Sequence, residues 1–176
     1  MSQLIVTAIG ADRPGIVGEF TGHLHAGGAN ILDSRMVNLR GQFAVIVLID
    51  AAGEKLASLK TAVPAIADRM GLKLLITEHQ IPTAPPAGIP FKLKSYSMDQ
   101  PGIVHRITEV LRAHGVNIEE LSARQESAPF DGSPMFIMEM RLTVPKTVML
   151  RKLRTELEAV CDEMNCELDL EPASEL

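Results

Sequence analysis

One feature constrains this chain more than any other: it repeats. Asp12-Arg13-Pro14-Gly15-Ile16-Val17 returns 87 residues later as Asp99-Gln100-Pro101-Gly102-Ile103-Val104. Gly28 and Asn30-Ile31 return at the same spacing as Gly115 and Asn117-Ile118. Ungapped repetition over a unit of this size implies one supersecondary module used twice.

The elements within each copy follow from periodicity. Residues 3–10 are short and rich in β-branched side chains, and Gly10 closes them, which predicts a buried strand. Asp12 is the expected N-cap of a helix, with Pro14 in its first turn. Ile16, Phe20 and Leu24 share one face of that helix, and Gly27-Gly28 end it. A second strand is expected from Asn30 to about Arg40, a turn at Gly41, and a nearly continuous apolar strand from Gln42 to Asp50. Leu56, Leu59, Val63, Ile66 and Met70 recur at steps of three and four, so 54–70 reads as a helix, which Pro64 should kink or shorten. A fourth strand follows over 73–80.

The same order recurs after Ile81–Pro90, a Pro-rich stretch of the kind that makes a semi-rigid spacer. Strands are expected at 91–98, 117–126, 135–144 and 167–170, with a longer loop over 127–134. Helices are expected along Ile103, Ile107, Val110 and Leu111, and along Leu150, Leu153, Leu157, Val160 and Met164. The domain organisation is therefore 1–80, a linker at 81–90, a second domain at 91–172 and a short tail at 173–176. Each half is β-α-β-β-α-β. The fold class is α+β: two ferredoxin-like domains in tandem, each an antiparallel sheet with both helices on one face and the first and third strands central.

Composition excludes several functions. The 176 residues carry a formal net charge of -5, and no Lys/Arg cluster offers the basic face that phosphate neutralisation requires. Direct nucleic-acid binding is not expected. No apolar run approaches the ~20 residues of a membrane helix, and Met1–Thr7 lacks the basic start of a signal peptide. A cytoplasmic protein without a membrane segment is the expectation, with its only cysteines, Cys161 and Cys166, reduced and structural. The five histidines form no metal-ligand cluster, and Ser34, Ser97 and Ser122 lack a nucleophile-elbow context. Neither a phosphate-binding loop nor a dinucleotide fingerprint is present. Neither an enzyme nor a cofactor-dependent protein is expected.

Alternation assigns the faces of each sheet. With Leu4, Val6, Val45 and Val47 toward the helices, Ile5, Thr7, Ile9, Ala44, Ile46 and Leu48 point away. The matching positions in the second half are Lys92, Lys94, Tyr96, Ile137, Glu139 and Arg141. The open face is thus apolar in the first repeat and charged in the second, which predicts a covered interface in the first, formed by another subunit or by an element of the same chain.

The Asp-x-Pro-Gly-Ile-Val turn has the chemistry for a small zwitterion. A helix N-terminus presents free N–H groups to a carboxylate. Gly15 and Gly102 admit close backbone approach. Asp12 and Asp99 can accept hydrogen bonds from an ammonium group, and Asn30 and Asn117 offer an amide to either end of an amino acid. Purely structural roles for the same residues, as cap and turn formers, stay open.

This motif, thirteen residues before Asn-Ile and inside a β-α-β-β-α-β module, resembles the ACT domain, a regulatory module that commonly binds amino acids at domain interfaces. A chain of two such domains and little else is most similar to the glycine cleavage system transcriptional repressor family. The resemblance implies an amino-acid-responsive regulator, with glycine or serine as ligand. It would act on the glycine cleavage operon by contacting a LysR-type transcription factor, without binding DNA itself and as a homo-oligomer. The implied ligand-binding residues are Asp12, Pro14, Gly15, Ile16, Val17 and Asn30, and in the second copy Asp99, Pro101, Gly102, Ile103, Val104 and Asn117. The copies diverge beside the motif, with Arg13 against Gln100 and Gly18 against His105, so two equivalent sites do not follow. The alternatives are a ligand-free ACT dimerisation module with another metabolic target, and a small enzyme using the groove between the repeats.

Overall fold

A computed structural model describes residues 3–79, 87–127 and 132–173. The chain divides into two compact units, Met1–Pro82 and Thr83–Leu176. Unit 1 runs β1 (Gln3–Ala11), α1 (Ile16–Ala26), β2 (Asn30–Leu39), β3 (Gln42–Asp50), α2 (Gly53–Arg69) and β4 (Lys73–Glu78). Unit 2 runs β5 (Gly88–Met98), α3 (Ile103–Ala113), β6 (Asn117–Ser127), β7 (Pro134–Pro145), α4 (Leu150–Glu163) and β8 (Cys166–Pro172). The sheets are ordered β2-β3-β1-β4 and β6-β7-β5-β8, all pairs antiparallel. This is the expected ferredoxin-like order, with the first and third strands of each unit central.

Several boundaries differ from expectation. Strand β5 begins at Gly88, inside the Pro-rich stretch, because Gly88, Ile89 and Pro90 pair with Pro145, Val144 and Thr143. Strand β8 runs on to Pro172, held across from Phe91. Linker residues 80–86, loop residues 128–131 and tail residues 174–176 lie outside the described residues. Helix α2 passes through Pro64 without stopping. Pro64 and Lys60, whose carbonyl loses its helical partner, are both exposed, so water can serve that carbonyl.

Each core lies between one sheet face and two helices. Leu4, Val6, Ala8, Phe43, Val45, Val47 and Ile49 meet Ile16, Phe20 and Leu24 of α1 and Leu56, Leu59, Val63 and Ala67 of α2. In unit 2, Phe91, Leu93, Met138, Met140 and Leu142 meet Ile103, Ile107 and Leu111 of α3 and Leu153, Leu157 and Cys161 of α4. The two β-bulges recur as well, at Leu32 between Ile31 and Asp33 and at Glu119 between Ile118 and Glu120.

The open faces carry the expected contrast. Across unit 1 the register aligns Val37, Ala44, Ile9 and Lys73 in one row and Arg35, Ile46, Thr7 and Leu75 in the next. Ile9 and Ile46 on the central strands are 47% and 46% exposed and Leu75 on the edge strand β4 is 63% exposed, an apolar surface of the kind that marks an interface. In unit 2 the corresponding rows are Arg124, Ile137, Tyr96, Glu167 and Ser122, Glu139, Lys94, Asp169, followed by Glu120, Arg141, Lys92, Glu171. Apart from Tyr96 and Ile137 these rows are charged or polar, with both signs mixed across the strands, and Glu139 on central β7 lies 3.8 Å from Lys92 and 3.9 Å from Arg124. That face balances its own charge and suits water.

Candidate functional site

The turn between the first strand and first helix is built alike in both units, though not as its sequence suggests. Asp12 does not cap α1. The N-cap is Gly15, at φ 84°, and in unit 2 it is Gly102, at φ 97°, neither with a side-chain cap. An ideal Cβ at either glycine would meet nothing within 4 Å, so the left-handed backbone, not crowding, is what calls for glycine there.

Asp12 instead fastens the turn to the neighbouring hairpin. Its N–H donates to the Gly41 carbonyl at 2.8 Å, and its carboxylate accepts from the Asn38 amide. The Asn38 side-chain oxygen in turn accepts from the Gly41 N–H at 3.1 Å. Asp99 repeats the arrangement: its N–H donates to Pro134 at 2.9 Å and its carboxylate accepts from Gln125 at 2.7 Å. Both carboxylates therefore already hold a protein donor.

The helix starts retain ligand-ready donors. The N–H groups of Glu19 and Arg106 close the first helical bonds, onto Gly15 and Gly102. Those of Val17 and Gly18, and of Val104 and His105, have no backbone partner among the described residues. Ile16 and Ile103 are 2% exposed and point into the cores, so they offer a ligand only backbone. Pro14 and Pro101 are exposed.

Asn30 and Asn117 are not brought to these turns. Asn30 pairs with Asp50, which also pairs with Gln3 at the start of β1. The turn leaves the other end of β1, where Ala11 and Leu39 both oppose Gln42. Eleven-residue α1 lies between the two ends, a rise of about 16 Å. One small amino acid cannot span that distance, and Asn30 is excluded from the turn of its own unit. Asn117 has the same place in unit 2, pairing with Thr143 and donating to Glu119 at 2.6 Å. Adjacency in sequence suggested a shared site, but the helix between the motifs carries the chain back along the sheet.

The two turns differ in enclosure. In unit 2 a shallow hollow of about 300 Å³ is lined by Gln100, Gly102, Ile103, Val104, His105 and Phe136. Gln100 donates to the Met164 carbonyl at the end of α4, bracing the turn from below. Val104 is partly buried, whereas its counterpart Val17 is 42% exposed. In unit 1, Arg13 replaces Gln100 and turns to Glu19 at 2.5 Å, away from the end of α2. Phe43, opposite Gly10, is fully buried, while Phe136, opposite Ser97, is only partly so and faces the hollow. Phe136 was invisible as a site residue in the sequence. It comes from β7, well beyond the motif, and only strand pairing brings it there.

With this geometry in place, the relatives of the chain can be compared. Residues 2–77 match the ACT domain, and unit 2 repeats the same element order. Unit 1 is an ACT domain. Unit 2 repeats its fold, and the chain is 27% identical over 164 residues to the glycine cleavage system transcriptional repressor of Escherichia coli, an alignment that covers 93% of this chain and 86% of that protein. A solved structure from Galdieria sulphuraria of unknown function is 30% identical with a TM-score of 0.85, covering 98% of this chain and 99% of that one. Another, proposed to be a glycine cleavage system transcriptional repressor, matches in fold with a TM-score of 0.73 at 21% identity over 99% of this chain and 98% of its own. Among the described residues of the two units, no helix is long and apolar enough to cross a membrane, and no three His, Cys, Asp or Glu side chains gather as metal ligands.

Proposed function

We propose that this protein is an amino-acid-responsive regulator that acts indirectly on transcription of the glycine cleavage operon, by contacting a LysR-type activator and without binding DNA itself. The observation that carries the proposal is similarity to a glycine cleavage system transcriptional repressor along nearly the whole tandem ACT chain. The acidic balance of the chain supports the indirect mode, since a net charge of -5 opposes a phosphate backbone.

The ligand is glycine or serine, and its site is the turn of unit 2. A carboxylate takes the N–H groups of Val104 and His105 at the start of α3, with Gly102, Pro101 and buried Ile103 shaping the backbone. Asp99 faces the ammonium group, sharing its charge with Gln125. The equivalent Asp12, Pro14, Gly15, Ile16 and Val17 form the weaker copy, because Val17 is left open to solvent. Ligand can shift the regulator only by binding one of its states more tightly than the other.

Isothermal calorimetry of the whole chain with glycine and with serine tests this reading. Phe136→Ala and Gln100→Ala should remove most of the heat, and Asn117→Ala should leave it intact. Saturable heat that survives both of the first two substitutions would sink the assignment. A second reading, an ACT interaction module without a ligand, is favoured by the exposed Ile9, Ile46 and Leu75, which suit a homo-oligomer contact. Calorimetry without heat, alongside a stable dimer in sedimentation, would select it.

A further inference from the structure

All four helices of the described residues are followed by a left-handed residue. The residue after the C-cap is left-handed in each: Gly28 at φ 80°, Gly71 at 72°, Gly115 at 66° and Asn165 at 47°. The amides of these residues return to His25, Asp68, Arg112 and Asp162, at 2.8, 3.1, 3.0 and 3.3 Å. This termination folds the next side chain back onto a residue in the last helical turn. The side-chain pairs so formed are Ala29 on Leu24, Leu72 on Ala67 and Val116 on Leu111, with their N–H groups bonded to those carbonyls at 3.0, 2.8 and 3.0 Å. In α4 the same two positions hold Cys161 and Cys166, although Cys166 enters β8 at once and its N–H makes no such bond among the described residues. Where three helices place two apolar side chains, the fourth places two thiols.

The surroundings of this pair are unusual as well. Cys161 is 2% exposed, and Cys166 is partly buried in the same core. Directly across the ladder from Cys166 stands Ser97, 4% exposed, whose hydroxyl has no hydrogen-bond partner. Unit 1 has Gly10 at the place of Ser97, and a Cβ there would lie 2.7 Å from Leu72 and 2.8 Å from the Gly71 carbonyl. Unit 2 has the smaller Cys166 in place of Leu72, and a serine fits. Ser95 on the same strand is also buried without a partner, but it stands across from Leu168, whereas Ser97 stands across from a thiol that, as a thiolate, can accept its hydrogen bond.

We propose that Cys161 and Cys166 are a reversible dithiol–disulfide pair, oxidised by hydroperoxides, that staples the C-terminal cap of α4 beneath the Gln100 turn. Cys166, the more accessible sulfur, attacks as the thiolate, with the Ser97 hydroxyl donating to it. Burial first, and then the neighbouring Cys166 thiol and Asp162, push the Cys161 thiol far above its ordinary value, so Cys161 is the resolving group. In the first step the Cys166 sulfur takes the terminal oxygen of the peroxide. The O–O bond breaks, an S–O bond forms, and water or an alcohol leaves after taking up the thiol proton. In the second step the Cys161 sulfur attacks the sulfenic sulfur. The S–S bond forms, the S–O bond breaks, and the departing hydroxide takes the Cys161 proton as water. Two thiols lose two electrons and the peroxide gains them. The pair does not depend on the ligand reading.

The test is hydrogen peroxide added to the reduced full-length chain, followed by thiol titration, intact mass and peptide mapping. Both thiols should disappear together, the mass should fall by two hydrogens, and mapping should link Cys161 to Cys166 within one chain. Dithiothreitol should restore both. Cys166→Ser should leave the Cys161 thiol unreacted, which also covers the case in which a substitution at buried Cys161 fails to fold. Ser97→Ala should slow oxidation roughly threefold, because the Cys166 thiolate loses the hydroxyl placed to donate to it. The proposal falls if both thiols persist, if the link joins two chains, or if Cys166 overoxidises while Cys161 stays free.

Discussion

The Gly15 and Gly18 positions, three residues apart, should respond oppositely to the same substitution. Gly15 is left-handed at φ 84°, and a Cβ there meets nothing within 4 Å. Alanine at that position brings no clash, only the backbone strain of an L-residue in that conformation, about 1–2 kcal/mol. Stiffening the unfolded chain returns roughly 0.4–1 kcal/mol, leaving Gly15→Ala destabilising by about 1 kcal/mol. Gly18 lies within α1 with ordinary helical dihedrals and equally open space. There alanine relieves the helix penalty of glycine, stabilising by about 0.8–1 kcal/mol. The two variants should therefore differ by about 2 kcal/mol, roughly thirtyfold in an opening constant. Amide hydrogen exchange in the whole protein reads this for unit 1 alone, through peptides from β1, α1 and β3. Exchange through unit opening should speed up in Gly15→Ala and slow down in Gly18→Ala. If both variants move in the same direction, or if Gly15→Ala is neutral, the left-handed cap is not what holds that turn.

Three further outcomes follow from other parts of the molecule. Ile46→Lys puts a charge on the open face of unit 1, where the side chain is already 46% exposed, so monomer stability should change by no more than about 0.5 kcal/mol. Sedimentation should nonetheless show the proposed oligomer falling to monomer, and an unchanged mass would argue against that face as the contact. The Glu156 carboxyl is held below its ordinary value, first by the hydrogen bond with His114 at 2.9 Å and then by the charges of His114 and Lys152. A depressed carboxyl contributes stability that is fully present above its unfolded value and lost as pH falls through the folded one. Carboxyl NMR should show Glu156 titrating at a more acidic pH than a free glutamate, and His114→Gln should move it back; titration at or above the ordinary value would refute the link. Pro64→Ala should restore a hydrogen bond on the exposed side of α2 and stabilise unit 1 by up to about 3 kcal/mol, read as a higher urea midpoint.

Sequence alone determined the duplication, the order of elements and the side of each strand that meets the helices. These are local signals. A strand alternates every residue and a helix returns every three or four, so Leu4, Val6, Val45 and Val47 declare their face before any partner is known. The contrast between Ile5, Ile9 and Ile46 in one unit and Lys92, Tyr96 and Glu139 in the other was legible for the same reason. Tertiary structure decided the site. Asp12 reads as a cap until the β2–β3 hairpin supplies Asn38 and Gly41 as its partners, and no local rule anticipates a donor 26 residues away. Asn30 follows the turn closely in sequence, yet α1 returns the chain to the far end of the sheet and separates the two. Phe136 and the Met164 carbonyl join the Gly102 turn only because β7 pairs with β5 and α4 ends against Gln100. Which residues share a face depends on backbone geometry that every short segment carries within itself; which residues share a hollow depends on how distant segments pair.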